Sequence, residues 1–137
     1  MGGYLIKEWY TIKHMYDLFI SFRFTGEDPA IRKQEIDFLI EKLQPTYPHI
    51  YCSLYDDFFE QEGISYADII ERTLDMLSQS KKMLIYVKSS EKSEGMLIEV
   101  GYAIAKNIPM EVYIKKGVST TFLRDVTDRV VEFEGLF

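Results

Sequence analysis

Cysteine is nearly absent. Cys52 is the only one in 137 residues, so no intramolecular disulfide can form, and a reducing compartment, the cytoplasm, is expected. It lies in an apolar stretch, which suits an inert buried thiol. Long apolar runs are lacking too. Nothing approaches the ~18 residues that span a bilayer, and the N-terminus does not have the basic-then-apolar order of a secretory signal; no membrane association is expected. Basic residues are outnumbered, 16 Lys and Arg against 22 Asp and Glu, for a formal charge of −6. That balance argues against a nucleic acid polymer, which clustered cations hold. A small phosphorylated ligand needs only one or two local donors and stays open. The two histidines, His14 and His49, are far apart, and with one cysteine no metal-ligand pattern exists. No phosphate-cradling Gly-rich loop is present. Neither a metal nor a cofactor is expected.

What remains is rich in core-forming residues: 47% hydrophobic, with ten Tyr and nine Phe. The length fits one domain. Residues 1–14 read as an N-terminal extension, in which Trp9 suits surface packing, and residues 15–137 as a single α/β domain. Tyr16–Ser21 is a short apolar strand. Pro29–Leu43 has helical spacing, with Ile36, Leu39, Ile40 and Leu43 on one face, Pro29 in the first turn and Pro45 just past the end. Ile50–Leu54 is a second strand, and Tyr55–Gly63 a loop. Ser65 and Asp68 form a capping-box pattern for a helix with Ala67, Ile70, Leu74 and Leu77 as its buried stripe. Met83–Val87 is a continuous apolar strand of the kind covered on both faces.

After the polar loop Lys88–Glu94, a third helix is expected to bury Leu97, Val100, Gly101, Ile104 and Ala105. Glu99 falls beside that stripe, and Gly101 is expected to permit a close approach to a neighbouring element. Met110–Ile114 and Val130–Phe133 complete the strands, around an ill-defined Lys115–Arg129 segment. Strands alternating with helices predict a flavodoxin-like, Rossmann-like three-layer sandwich on a mainly parallel five-stranded sheet. Ligands of such sheets lie beyond the carboxyl ends of the strands.

Two loops at those ends carry chemistry. The first, Ser21-Phe22-Arg23-Phe24-Thr25-Gly26-Glu27-Asp28, offers a hydroxyl, a guanidinium, a flexible glycine and two acids before a helix. Free N–H groups with Arg and Ser make an anion site. A purely structural account also fits: Ser21 and Asp28 cap, and Arg23 pairs with Glu27. The second, Ser93-Glu94-Gly95-Met96-Leu97-Ile98-Glu99, puts a carboxylate in the first turns of a helix, where the dipole alone favours an acid by ~0.3–1 kcal/mol. Asp56, Asp57 and the aromatics Tyr55, Phe58 and Phe59 lie in the loop after the second strand, while Tyr51 reads as core.

Ser93-x-Gly95-x-x-x-Glu99-Val100-Gly101-Tyr102-Ala103 resembles the signature of nucleoside 2-deoxyribosyltransferases and 2′-deoxynucleoside 5′-phosphate N-hydrolases. The resemblance implies that Glu99 attacks C1′ of the sugar. It implies further that Ser21, Arg23, Gly26, Asp28, Ser93 and Gly95 bind the substrate, a small nucleoside or nucleotide, with the serines and Arg23 toward a 5′-phosphate. The acid that serves the leaving base in that superfamily falls here on Thr73, with Asp75 the substitute. The family also implies a homo-oligomer. Tyr16–Arg23 followed by Gly26-Glu27-Asp28 is similar, in addition, to the start of a TIR domain, whose enzymatic members cleave NAD with a Glu at the Ser93–Glu99 interval. A non-catalytic nucleotide-binding or TIR-like signalling module is the alternative from a different class.

Overall fold

Five-residue apolar runs with no polar face become the middle of the sheet. The computed structural model describes residues 14–120 and 122–135. In it β1 (Leu18–Phe22) and β3 (Met83–Val87) are buried almost throughout. They lie side by side, flanked by β2 (Ile50–Tyr51) on one side and β4 (Met110–Lys115) and then β5 (Arg129–Phe133) on the other. Every pairing is parallel, with Ser21 opposite Ile85 and Ile85 opposite Val112. Burial on both faces is what an uninterrupted apolar strand needs, and helices supply it.

Alternation along the strands sorts the core into two layers. Leu18, Ile20, Leu84 and Tyr86 pack against Ile36, Leu39 and Leu43 of α1 (Pro29–Leu43). Phe19, Met83, Ile85 and Val87 pack against α2 (Tyr66–Ser78) and α3 (Glu94–Ala105), with Leu123 of the short α4 (Leu123–Val126) in the same layer. The result is the flavodoxin-like three-layer α/β sandwich. Strand order 2-1-3-4-5 reverses direction between β1 and β3, which opens the ligand-binding crevice of such sheets at the carboxyl ends of those two strands.

Local signals set most boundaries. Asp28 caps α1, accepting from Ala30 N–H and Ile31 N–H ahead of Pro29. The capping box of α2 is complete: Ser65 accepts from Asp68 N–H, and Asp68 accepts from Ser65 N–H. β1 begins two residues later than expected, because Tyr16 forms only a lone bridge to Ser80. β2 stops at Tyr51 instead of Leu54. The chain then winds through short turns at Ser53–Tyr55 and Asp57–Glu60, the second capped by Asp56.

The stripe expected on α2 is buried only at its carboxyl end, by Met76 and Leu77, while Ala67 is exposed. The larger correction concerns α3. Its buried residues are Met96, Val100 and Ala103, so of the expected stripe only Val100 is fully buried. Gly101, Ile104 and Ala105 face outward. A helix apolar on every side has no periodicity to declare which face goes in. The expected N-terminal extension falls, apart from His14, outside the described residues. Among the described residues, no helix is long and apolar enough to cross a membrane.

Candidate active site

The crevice between β1 and β3 brings Ser21 and Glu99 together across 78 positions of sequence. Ser21 follows Phe19 on the sheet face that meets α3 and is almost completely buried. Glu99 belongs to the inward side of α3, in the same 3–4 spacing as Met96, Val100 and Ala103. Its expected place beside the buried stripe is thereby corrected. Ser21 Oγ donates to Glu99 Oε1 at 2.6 Å. Glu99 as a whole is partly buried, its carboxyl more deeply. Burial pushes that carboxyl from 4.5 up to about 7, and the Ser21 hydrogen bond holds back part of the rise. Among the described residues no cation pairs with Glu99. At neutral pH it therefore exchanges between acid and carboxylate, the range in which a group can serve in proton transfer or as a nucleophile.

On the α1 side of the same crevice the acids are all paired. Arg23 Nη1 lies 3.4 Å from Glu27 Oε1 and forms a closer ion pair with Glu91. Lys88 Nζ is 3.0 Å from both Glu27 Oε2 and Glu35 Oε1, and Tyr86 Oη donates to Glu35. Gly26 adopts φ +80°, and a Cβ there would come within 2.9 Å of Arg23 Nη2. Its glycine lets the loop turn left-handed and leaves room for the guanidinium. Arg23, Glu27, Lys88, Ser89, Glu91 and Ser93 line a cavity of about 30 Å³, the space of roughly one water, whose lining does not include Ser21 or Glu99.

Several expected ligand contacts have internal uses. Asp28 is the α1 cap, and Ser93 caps α3 by accepting from Met96 N–H at 3.3 Å; its O–H proton remains to be donated. Gly95 sits in the first turn of α3 with open space where a Cβ would be. The close approach expected at Gly101 does not occur, since nothing lies within 4 Å of a Cβ placed there.

No protein-family model matches the chain, and no curated protein matches it.

Asp75 does not join Glu99. It is exposed on α2 and accepts from Gln79 Nε2 at 3.3 Å. One step along a helix turns a side chain by about 100°, so Asp75 points away from the direction in which Met76 and Leu77 are buried. Thr73 turns its hydroxyl onto the carbonyls of Ile69 and Ile70. Asp56 is an ion-pair partner: Arg72 Nε and Nη2 donate to its two oxygens at 2.9 and 3.1 Å, and Tyr51 Oη donates at 2.6 Å. Burial raises its pKa, but Arg72, Tyr51 and the Phe58 N–H together outweigh that and hold it below the usual value. Asp57 is exposed.

Among the described residues no second acid is hydrogen-bonded to Ser21 or Glu99. Tyr51 is core, and it borders, with Tyr55 and Phe58, a separate open cavity of about 1100 Å³ along the β2 edge. Neither Ser21 nor Glu99 lines that cavity, so its size does not make it the reactive centre. Sequence reasoning did not identify Arg72, Glu35, Lys88 or Glu91. Only the position of Lys88, directly after an inner strand, signalled one of them.

Proposed function

We propose that the protein cleaves the N-glycosidic bond of a nucleoside or nucleoside 5′-monophosphate, with Glu99 as nucleophile. The observation that carries this is the Ser21–Glu99 pair: a desolvated carboxyl with no counter-cation among the described residues, positioned by one hydroxyl at the topological switch point. As the C1′–N bond breaks, its electron pair leaves with the base and positive charge builds on the sugar. A buried carboxylate stabilises that charge far better than water does and can close onto C1′ to form a glycosyl ester. Water then attacks C1′ and releases Glu99, or a second base does so in a transfer. Arg23, Ser21 and Ser93 are the groups for a phosphate or sugar hydroxyl. A phosphate reaches Arg23 by exchanging with Glu91, whose side chain is 67% exposed.

One observation favours a second substrate class. A neutral base leaving from a nucleoside needs a proton, and among the described residues no acid is bonded to the Ser21–Glu99 pair. Nicotinamide leaves NAD as a neutral molecule because its ring nitrogen is already cationic in the substrate, so a TIR-like NAD cleavage needs no such acid. The test is chromatographic detection of free base from deoxynucleosides, deoxynucleoside 5′-monophosphates and NAD. Release from a deoxynucleotide supports the first reading and release from NAD alone the second. A folded protein that binds these compounds without releasing base is a binding module, and both enzymatic readings fail.

A further inference from the structure

Arg32, on α1, carries a buried donor without an acceptor. Its Nε–H is closed off from solvent and has no hydrogen-bond partner among the described residues. The rest of the guanidinium is fixed: Nη1 donates to the Phe24 carbonyl at 2.7 Å, and the group lies 3.9 Å over the Phe24 ring. A buried donor left unpaired is costly and rare in native proteins, so it marks a place for an acceptor. Arg32 also borders the small cavity beside Arg23. Three cations line that cavity, Arg23, Arg32 and Lys88, against three carboxylates, Glu27, Glu35 and Glu91. The carboxylates are held unequally. Glu27 and Glu35 each lie 3.0 Å from Lys88 Nζ, with side chains 11% and 13% exposed. Among the described residues Glu91 pairs with Arg23 alone, and its side chain is 67% exposed. An exposed pair of that kind is weak and exchanges readily.

We infer that Arg32 and Arg23 together hold one phosphate-type oxyanion at this cavity, and that the Glu91 carboxylate occupies its place in the free chain. The cavity has the space of roughly one water, so the anion enters by exchange with Glu91. Once Glu91 has swung out, three cations and two carboxylates leave one net positive charge in the lining, which an anion offsets. Guanidiniums suit that ligand, because each presents paired N–H groups to phosphate oxygens. Ser89 and Ser93 add hydroxyls to the same lining. The inference rests on the phosphate contact proposed for Arg23 and adds Arg32, which lies outside the Ser21–Asp28 segment that carries the family likeness. It is separate from the chemistry at Glu99, which does not line the cavity.

Isothermal titration calorimetry of the full chain with inorganic phosphate tests the pocket. It reads binding without turnover, so its failure is distinct from a failure to release base. Arg32→Gln and Arg23→Gln are each expected to weaken phosphate binding at least ~10-fold, with unchanged circular dichroism. Glu91→Gln, at an exposed position, is expected to tighten it roughly 3–5-fold. That gain keeps the test decisive even where an arginine variant does not fold. Competition by a deoxynucleoside 5′-monophosphate, and none by the deoxynucleoside, assigns the oxyanion to a nucleotide's phosphate. Binding that neither compound disturbs assigns it to free phosphate. No phosphate binding by wild type or Glu91→Gln, an affinity that Glu91→Gln does not raise, or binding that a folded Arg32→Gln retains in full overturns the inference.

Discussion

Asp56 and Glu99 are two carboxylates against the same layer of the core, and they behave in opposite ways. Each accepts a 2.6 Å hydrogen bond from a hydroxyl, Asp56 from Tyr51 and Glu99 from Ser21. Each is pushed toward the neutral form by burial. Asp56 also receives a two-pronged guanidinium from Arg72 and stays ionised, so it serves as a structural anchor between the β2 loop and α2. Among the described residues Glu99 receives no cation, and its carboxyl rises to about 7. One charge-assisted partner separates a carboxylate held ionised from one pushed toward its neutral form.

The difference can be broken most severely at Glu99 itself. Glu99→Ala is expected to reduce base release at least ~10³-fold, about 4 kcal/mol of transition-state stabilisation, with the circular dichroism spectrum retained; turnover within tenfold of wild type would remove Glu99 from the mechanism.

Stability should respond in the other direction. A carboxyl raised above its unfolded value of 4.5 binds more protons in the native state between 4.5 and about 7. Glu99 is therefore expected to erode stability as pH rises through that window and to level off above it. Glu99→Gln should be more stable than wild type by roughly 2–3 kcal/mol at pH 8 and nearly equal to it at pH 4, as measured by urea unfolding. Catalysis follows the opposite slope: kcat/KM should climb with pH through about 7 as the carboxylate forms.

Removing the cation from the other carboxylate makes Asp56 resemble Glu99. Asp56 now contributes stability that is fully present above 3.8 and is lost as pH falls through its depressed native value. Arg72→Met should cost ~2 kcal/mol at neutral pH, discounted because the Arg72 side chain is 33% exposed. The acid-side loss should vanish with it. An unchanged urea midpoint would mean that the ion pair adds nothing.

Smaller changes sharpen the contrast between reactive and structural roles. Ser21→Ala removes a bond that favours the ionised form, so the pH–rate midpoint should move above about 7 at a stability cost of ~1 kcal/mol. Asp28→Ala should cost a similar ~1 kcal/mol through loss of the α1 cap and leave that midpoint in place. A midpoint that moves with Asp28 would tie the cap to the chemistry.

Much of this was legible in the residues. The run Met83–Val87, the Pro29 start of α1 and the Ser65–Asp68 box are local signals whose physics lies within a few residues, and each boundary came out as expected. The α/β alternation led to the parallel sheet for the same reason. At the site, Glu99 and Ser21 stood out as residue types at the ends of elements. Whether Asp75 or Thr73 faces the site depended on helix register, and in the fold Asp75 is exposed beside Gln79. The α3 stripe came out as expected at Val100 but not at Gly101, Ile104 and Ala105, which carry no polar group to keep them from being read as inside.

The sequence by itself determined which segments become the inner strands and the three longer helices, how they alternate, and that Glu99 falls in the first turns of the third helix. Those outcomes depend on hydrophobic period, caps and turn residues, all short-range. Tertiary structure alone decided which side of α3 faces the sheet, that Ser21 meets Glu99, and that Arg72 goes to Asp56 and not to Glu99. Those are contacts between segments distant in the chain. They set desolvation and charge pairing, and through these a raised pKa at Glu99 and a lowered one at Asp56.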